Sequence, residues 1–396
     1  MTDTILCIDI GTSSLKAALL PDNLSKAPVF VSRQYFSEEA ISKNHVANEY
    51  LPSLSKALSE LKQKNPDYAI EAICVSGNGP SVVSEDGTTL LYNQFFTDSS
   101  KNLTENITQN QKNALKDTKS LFIPKLFEFK NNFQSNWNSS EYIFGVPEFL
   151  LYQLTGKAVS ILPEERFLPA YWTESELKSC GFSDSDIKKL PPFVKAGSYA
   201  GKVTENAALA TGLLEGTFVF AGAPDFVAAL IGTGTVLPGR LCDRAGTSEG
   251  LNLCTTQPVF ADGLRTLPAV IPGLWNLSYL LEQTTEYTDV TDISDEKSNL
   301  CESETSAVHL EKLSHGIKLL REAAESSGEY FPNYMTITGG QAFNEELTSQ
   351  KEAVTGLKIK KMPCNDAELI GDLILTRVSL GDYDDITEAV FAILGA

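Results

Sequence analysis

Ile5 to Leu20 reads ILCIDIGTSSLKAALL, and Arg240 to Thr255, offset by 235 positions, reads RLCDRAGTSEGLNLCT. The offset superimposes Leu6 on Leu241, Cys7 on Cys242 and Gly11-Thr12-Ser13 on Gly246-Thr247-Ser248, which makes five identities in the eight positions from Leu6 to Ser13. Each stretch reads as strand, turn, strand. Glycine lets the backbone approach a phosphate closely, and amides and hydroxyls around it donate to the oxygens. The blander reading is a pair of ordinary hairpins with matching turns; the number of identities argues against it. Two such grips predict a polyphosphate held from both sides. Only the first has a carboxylate at its mouth, because Asp9 aligns with Arg244. The halves are therefore expected to bind alike and act differently.

The chain is 396 residues long and 42% hydrophobic, which suits two globular domains better than one core. The repeat offset gives the same count, with domains expected over 1–238 and 239–396. A formal net charge of −19 repels nucleic acid and anionic membranes, so neither is an expected partner and a small neutral substrate is favoured. The seven cysteines are scattered, several within apolar strand patterns, and make no Cys-x-x-Cys or zinc pattern with the three histidines. They read as reduced core residues of a cytoplasmic protein. The N-terminus enters a strand directly and does not read as a signal peptide. Thr217 to Gly239 is apolar, but it contains Pro224 and Asp225, and an Asp at a membrane midplane costs roughly 2.5 to 3.5 kcal/mol.

Between the grips, strand and helix patterns alternate. A helix is predicted over Val46 to Leu61, then a buried strand from Ala69 to Val75 ending in Ser76-Gly77-Asn78-Gly79-Pro80, a loop at the strand end where open α/β sheets bind ligands. Helical pieces follow at Leu121 to Phe129 and Val146 to Leu154. Thr217 to Ala221 reads as a strand feeding Gly222-Ala223-Pro224-Asp225. Beyond the second grip, Glu282 to Ser306 has the composition of an exposed loop, with a long helix expected from about 306 to 326. The last third reads as strand Met335 to Ile337, a Gly339-Gly340 turn, a helix from Ala342, a strand over Leu357 to Lys361 and a helix over Asp366 to Leu380.

These parts suit phosphoryl transfer, which needs an aligned phosphate, a divalent ion, charge stabilisation and a carboxylate near the acceptor. Asp9 is the candidate Mg²⁺ ligand, through water because that ion keeps much of its hydration shell. Thr12, Ser13 and Lys16 are candidate phosphate donors, with Gly11 opening the turn. Asp225 is the candidate base, expected in the first turn of a helix through Ile231, whose positive end favours the ionised form. The alternative is that Asp225 only caps that helix. A P-loop is excluded, since no G-x-x-x-x-G-K-[S/T] occurs.

In combination and order, these motifs resemble the FGGY carbohydrate kinases of the actin, sugar kinase and Hsp70 superfamily. Asp9 to Lys16 looks like that family's first phosphate motif and Gly246-Thr247-Ser248 like its second. Ala221 to Asp225 falls where the family has a glycine-rich stretch ending in its catalytic aspartate. Gly339-Gly340 with Asn344 is similar to its adenosine motif, and Pro147 to Gly156 to a family helix ending in Leu-Thr-Gly. The resemblance implies an α/β fold of two ribonuclease H-like (actin-like ATPase) domains with an interdomain cleft, the second shortened between Trp275 and the helix near Ser306. It also implies ATP and Mg²⁺ as cofactors, with a sugar, polyol or sugar acid as acceptor. By position it assigns Asn78, Gly79 and Asp98 to the substrate, with Glu164 or Glu165 nearby, and it leaves a homodimer open. The sequence around Ser76 to Ser81 does not carry over a particular sugar. Two other readings stand beside the kinase: a catalytically impaired nucleotide and sugar sensor, and a hydrolase with water as acceptor.

Overall fold

The computed structural model describes residues 2–24, 29–94, 108–245, 249–281 and 295–395. They form two compact units, Met1–Ala228 with Glu368–Ala396, and Ala229–Ala367.

The first unit is built on a six-stranded sheet. Strand β1 (Thr2–Ile10) pairs antiparallel with β2 (Ser14–Leu20), which pairs with β3 (Val31–Tyr35); on its other side β1 runs parallel to β4 (Tyr68–Gly77). β4 in turn runs parallel to the strand Phe218–Pro224, and Tyr199–Lys202 closes the edge. The near-continuous apolar runs ILCIDI and ICVSG are what a sheet covered on both faces requires, and Ile5 to Ile8 and Ala72 to Val75 have no exposure. On one face lies the helix Tyr50–Lys64, whose Leu54, Ala57, Leu58 and Leu61 recur at helical spacing and bury against β1 to β3. The helix Val146–Thr155 joins that core; it has Pro147 in its first turn and ends on Gly156, left-handed at φ 70°.

Between β4 and Tyr199 the chain makes a mainly helical excursion with its own apolar centre. Ile123, Leu126 and Phe129 of the helix Phe122–Asn132 pack with Trp137, Leu177 and Phe182.

The second unit repeats the strand order of the first. In chain order its strands are Leu241–Arg244, Gly250–Thr255, Arg265–Pro268, Trp275–Leu280, Tyr334–Thr338 and Lys358–Lys361. Leu241–Arg244 pairs antiparallel with Gly250–Thr255 and parallel with Tyr334–Thr338, as β1 does with β2 and β4. Trp275–Leu280 then lies beyond Gly250–Thr255, and Lys358–Lys361 beyond Tyr334–Thr338. The duplication expected from two turns thus extends to five strands, which is the ribonuclease H-like order.

One local expectation fails. The polar stretch read as a loop to Ser306 is helical from Asp295, in a single helix Asp295–Ser326. Residues 295–306 contain neither proline nor glycine, so nothing in the stretch breaks a helix, and polar composition alone does not mark an irregular segment. The part of that stretch before residue 295 lies outside the described residues.

Candidate functional site

Three parallel strands of the first unit end in register. Ile10 pairs with Gly77, and Gly77 pairs with Pro224, so the ends of β1, β4 and Phe218–Pro224 form one row across the sheet. Residues adjoining that row include Asp9, Asn78 and Asp225. Neighbouring strands lie about 4.8 Å apart, so the β1 and Phe218–Pro224 backbones at this row are separated by roughly 10 Å.

Asp9 is buried, at 2% exposure, and pairs across the sheet with Lys16 and Ser76. Its Oδ2 lies 3.1 Å from Lys16 Nζ. Its Oδ1 is buried with no hydrogen-bond partner among the described residues. A buried anionic oxygen left open at a strand end fits a hydrated Mg²⁺, which takes one or two carboxylates and keeps its waters. No group of three or more His, Cys, Asp or Glu side chains suited to a metal occurs among the described residues.

Gly11, Thr12 and Ser13 form the turn from β1 to β2. Gly11 N donates to Ser14 O at 2.9 Å, and Ser13 O accepts from Phe36 N at 2.9 Å. The turn is partly open, with Gly11 and Thr12 half-buried and Ser13 exposed.

Asn78 is buried, and both ends of its amide are engaged. Its Nδ2 donates to Ile10 O at 3.1 Å, and its Oδ1 accepts from Ser81 Oγ at 2.6 Å. The first bond fastens the end of β4 to the end of β1, and the second braces the loop that follows. Gly79 is exposed, and a Cβ there would lie 3.5 Å from the Phe122 ring, which stacks on Tyr171 at 4.6 Å between centroids. Asp98 lies outside the described residues. Glu164 accepts from Arg166 at both N and Nε, at 3.1 and 2.8 Å, while Glu165 is 3.8 Å from Lys195.

Asp225 opens the helix Asp225–Gly232 directly after its strand, and its Oδ1 accepts from Phe226 N at 2.6 Å. Phe226 faces Phe167 at 6.4 Å. The close approach of strands before Asp225 needs Gly222, since a Cβ there would sit 2.6 Å from both Val75 O and Asp372 Oδ1.

Asp372 was not anticipated from the sequence. It lies on the helix Ala367–Leu380, fully buried, and receives the Ser76 hydroxyl at 3.0 Å and the Cys74 thiol at 3.5 Å. Burial pushes its carboxyl well above the usual range; the Ser76 hydrogen bond opposes this, and the charges of Asp9 and Glu368 add to it. Four residues earlier, Glu368 lies 4.0 Å from Lys16 Nζ. The available signal was an aspartate inside the apolar run Leu369 to Ile374, where a solvated residue has no place.

In the second unit, Gly246, Thr247 and Ser248 lie outside the described residues. Gly339 has φ 92°, a left-handed conformation that favours glycine, and its N donates to Asn365 O at 2.7 Å. Gly340 begins the short turn Gly340–Phe343, and Asn344 caps the helix Glu345–Thr355 by accepting Leu347 N at 3.0 Å.

Two sheets of this shared strand order, with acidic residues at the strand ends of the first, define an actin-like ATPase fold. Residues 4–232, more than half of the chain, match the N-terminal domain of the FGGY family of carbohydrate kinases, and the chain belongs to that family. Over 263 residues it is 26% identical to the xylulose kinase of Staphylococcus epidermidis, covering 62% of this chain and 52% of that one. The chain thus spans about half the length of the curated relatives it matches. Among solved structures, it is similar to a ligand-bound xylulose kinase from Lactobacillus acidophilus, with TM-score 0.70 and 14% identity over 98% of this chain and 91% of that one. It is also similar to Plasmodium falciparum glycerol kinase with ADP, at TM-score 0.70 and 12% identity, over 99% of this chain and 92% of that one. At these identities the structural likeness carries the fold. Among the described residues, no helix is long and apolar enough to cross a membrane.

Proposed function

We propose that the protein transfers the γ-phosphoryl group of ATP to a hydroxyl of a small sugar, polyol or sugar acid. The observation that carries this reading is the row Ile10, Gly77, Pro224, which brings Asp9 and Asp225 to the same edge of one sheet. Asp9 would hold Mg²⁺, which when bound neutralises phosphate charge. Gly11, Thr12 and Ser13 offer backbone and hydroxyl donors to phosphate oxygens, and Lys16 keeps Asp9 oriented through its 3.1 Å contact. In the second unit Gly246, Thr247, Ser248, Gly339 and Gly340 would serve the rest of the nucleotide, with Asn344 fixing the helix behind them.

Asp225 would orient the acceptor hydroxyl and take its proton. Its place at a helix N-terminus suits a negative charge beside the acceptor. In a loose transition state the hydroxyl releases its proton late, so orientation and charge outweigh basicity. Gly79 and Asp98 are proposed to face the acceptor, and Asn78 to hold the loop that presents it. The names of the xylulose kinase relatives make ketopentoses the first acceptors to try. Buried thiols at Cys74, Cys180, Cys242 and Cys254 suit a reducing cytoplasm.

The test is ADP release with Mg²⁺ and ATP across a panel of pentuloses, polyols and sugar acids. ADP formation that needs one class of acceptor supports the reading. Nucleotide binding without product across the panel, or phosphate release independent of sugar, refutes it.

A further inference from the structure

The second unit contains a lysine with no solvent exposure. Lys351, on the helix Glu345–Thr355, places Nζ 2.6 Å from Asp243 Oδ2 and 2.9 Å from Glu249 Oε1. Asp243 belongs to the strand Leu241–Arg244, and Glu249 immediately precedes Gly250–Thr255. One ammonium therefore binds both stems of the hairpin on either side of Gly246-Thr247-Ser248. Glu249 reaches further: its Oε2 accepts Gln341 Nε2 at 2.9 Å and lies 3.3 Å from His309 Nε2. Gln341 directly follows Gly339-Gly340, and its backbone N donates to Ala245 O at 3.3 Å. Ala245 N donates back to Thr338 O at 2.8 Å.

Holding a hairpin together does not require this network. The two strands already pair from Leu241 with Leu253 to Arg244 with Gly250, and a well-packed apolar residue in place of a buried ion group is often as stable or more so. What an apolar residue cannot do is fix two polar loops at one spacing. We propose that Lys351 is a positioning residue for the nucleotide, clamping the paired strands Leu241–Arg244 and Gly250–Thr255 and, through Glu249 and Gln341, the Gly339-Gly340 turn into one binding arrangement. This rests on reading the Gly339-Gly340 turn as nucleotide-binding. Burial works against the ammonium, and the two carboxylates outweigh it. Burial and the charge of Glu249 hold Asp243 above the ordinary carboxylate range despite Lys351. Glu249 is held below that range, because His309 and Lys351 together outweigh its burial.

The experiment is calorimetric titration of the full chain with MgADP, alongside thermal unfolding of each variant without nucleotide. Lys351→Met is expected to weaken ADP binding at least about tenfold, since misplacing binding groups by an ångström can cost up to about 10²-fold. Glu249→Gln can still accept from Lys351 but offers Gln341 no second acceptor oxygen, and several-fold weaker binding is expected; this variant decides the matter if Lys351→Met does not fold. Adding Asp243→Asn to Lys351→Met removes a buried carboxyl left without its ammonium partner and is expected to recover thermal stability without recovering ADP affinity. Affinity that returns together with stability, or wild-type affinity in Glu249→Gln, overturns the proposal while leaving the kinase reading intact. A wild-type chain that binds neither ADP nor ATP overturns both.

Discussion

Glu148 offers a stability measurement whose size follows from its surroundings. It sits in the first turn of the helix Val146–Thr155, buried, with Oε1 accepting Ile161 N at 3.0 Å. Burial is the dominant influence and raises its carboxyl to about 7 from an ordinary 4.5, despite the hydrogen bonds it accepts. Below pH 4.5 the group is protonated whether the chain is folded or not, and it contributes no pH dependence. Between 4.5 and about 7 the unfolded chain loses this proton and the folded chain keeps it, so folding stability falls as pH rises, by about 1.4 kcal/mol per unit. Above the folded value the loss levels off at about 3 kcal/mol. Glu148→Gln keeps a carbonyl oxygen for Ile161 N and removes the titration. Urea unfolding of both proteins from pH 4.5 to 8 should give a difference curve that moves in favour of the glutamine variant by roughly that amount. A flat difference curve would refute the assignment of Glu148 as a buried neutral acid.

Three further outcomes are expected. Asp225→Asn should lower turnover at least about 10²-fold in the acceptor-dependent ADP assay while leaving MgADP affinity within about twofold; unchanged turnover would sink the base assignment. Asp9→Asn should raise the Mg²⁺ concentration for half-maximal activity about tenfold, read from an Mg²⁺ titration at saturating ATP; an unaltered titration would remove Asp9 from the metal site. Gly371→Ala should destabilise by about 3 kcal/mol or more, because its Cβ would lie 2.1 Å from Ala228 O in the helix that Asp225 begins. Wild-type unfolding midpoints would show that this helix yields easily.

Features set by neighbouring residues were readable from the chain. The strands on either side of Gly11-Thr12-Ser13, the helix opening at Asp225 and the turn at Gly339-Gly340 all depend on local pattern and backbone geometry. The contacts that complete the site depend on pairings between distant segments. Asp372 meets Ser76 across 296 positions, and Lys351 meets Asp243 across 108; no periodicity encodes either. Their trace in the sequence is a charged residue where the helix pattern asks for an apolar one. Asn78 shows a different difficulty: an amide at a strand end suits both ligand contact and backbone bracing, and only the bonds to Ile10 and Ser81 reveal the second use. The start of the helix at Asp295 was obscured because a polar composition is common to helices and loops.

The helical excursion between β4 and Tyr199 gathers Ile123, Leu126, Phe129, Trp137, Leu177 and Phe182 around a centre of its own. Exchanges confined to that centre leave in place the side chains that pack on the sheet spacing Asp9 from Asp225, among them those of the helix Val146–Thr155. The same excursion carries Phe122, which lies against Gly79. On the proposed placement of Gly79 beside the acceptor, acceptor preference and reaction chemistry would be mechanically separable in this chain, so a lineage could try new substrates by altering one module while inheriting the other unchanged.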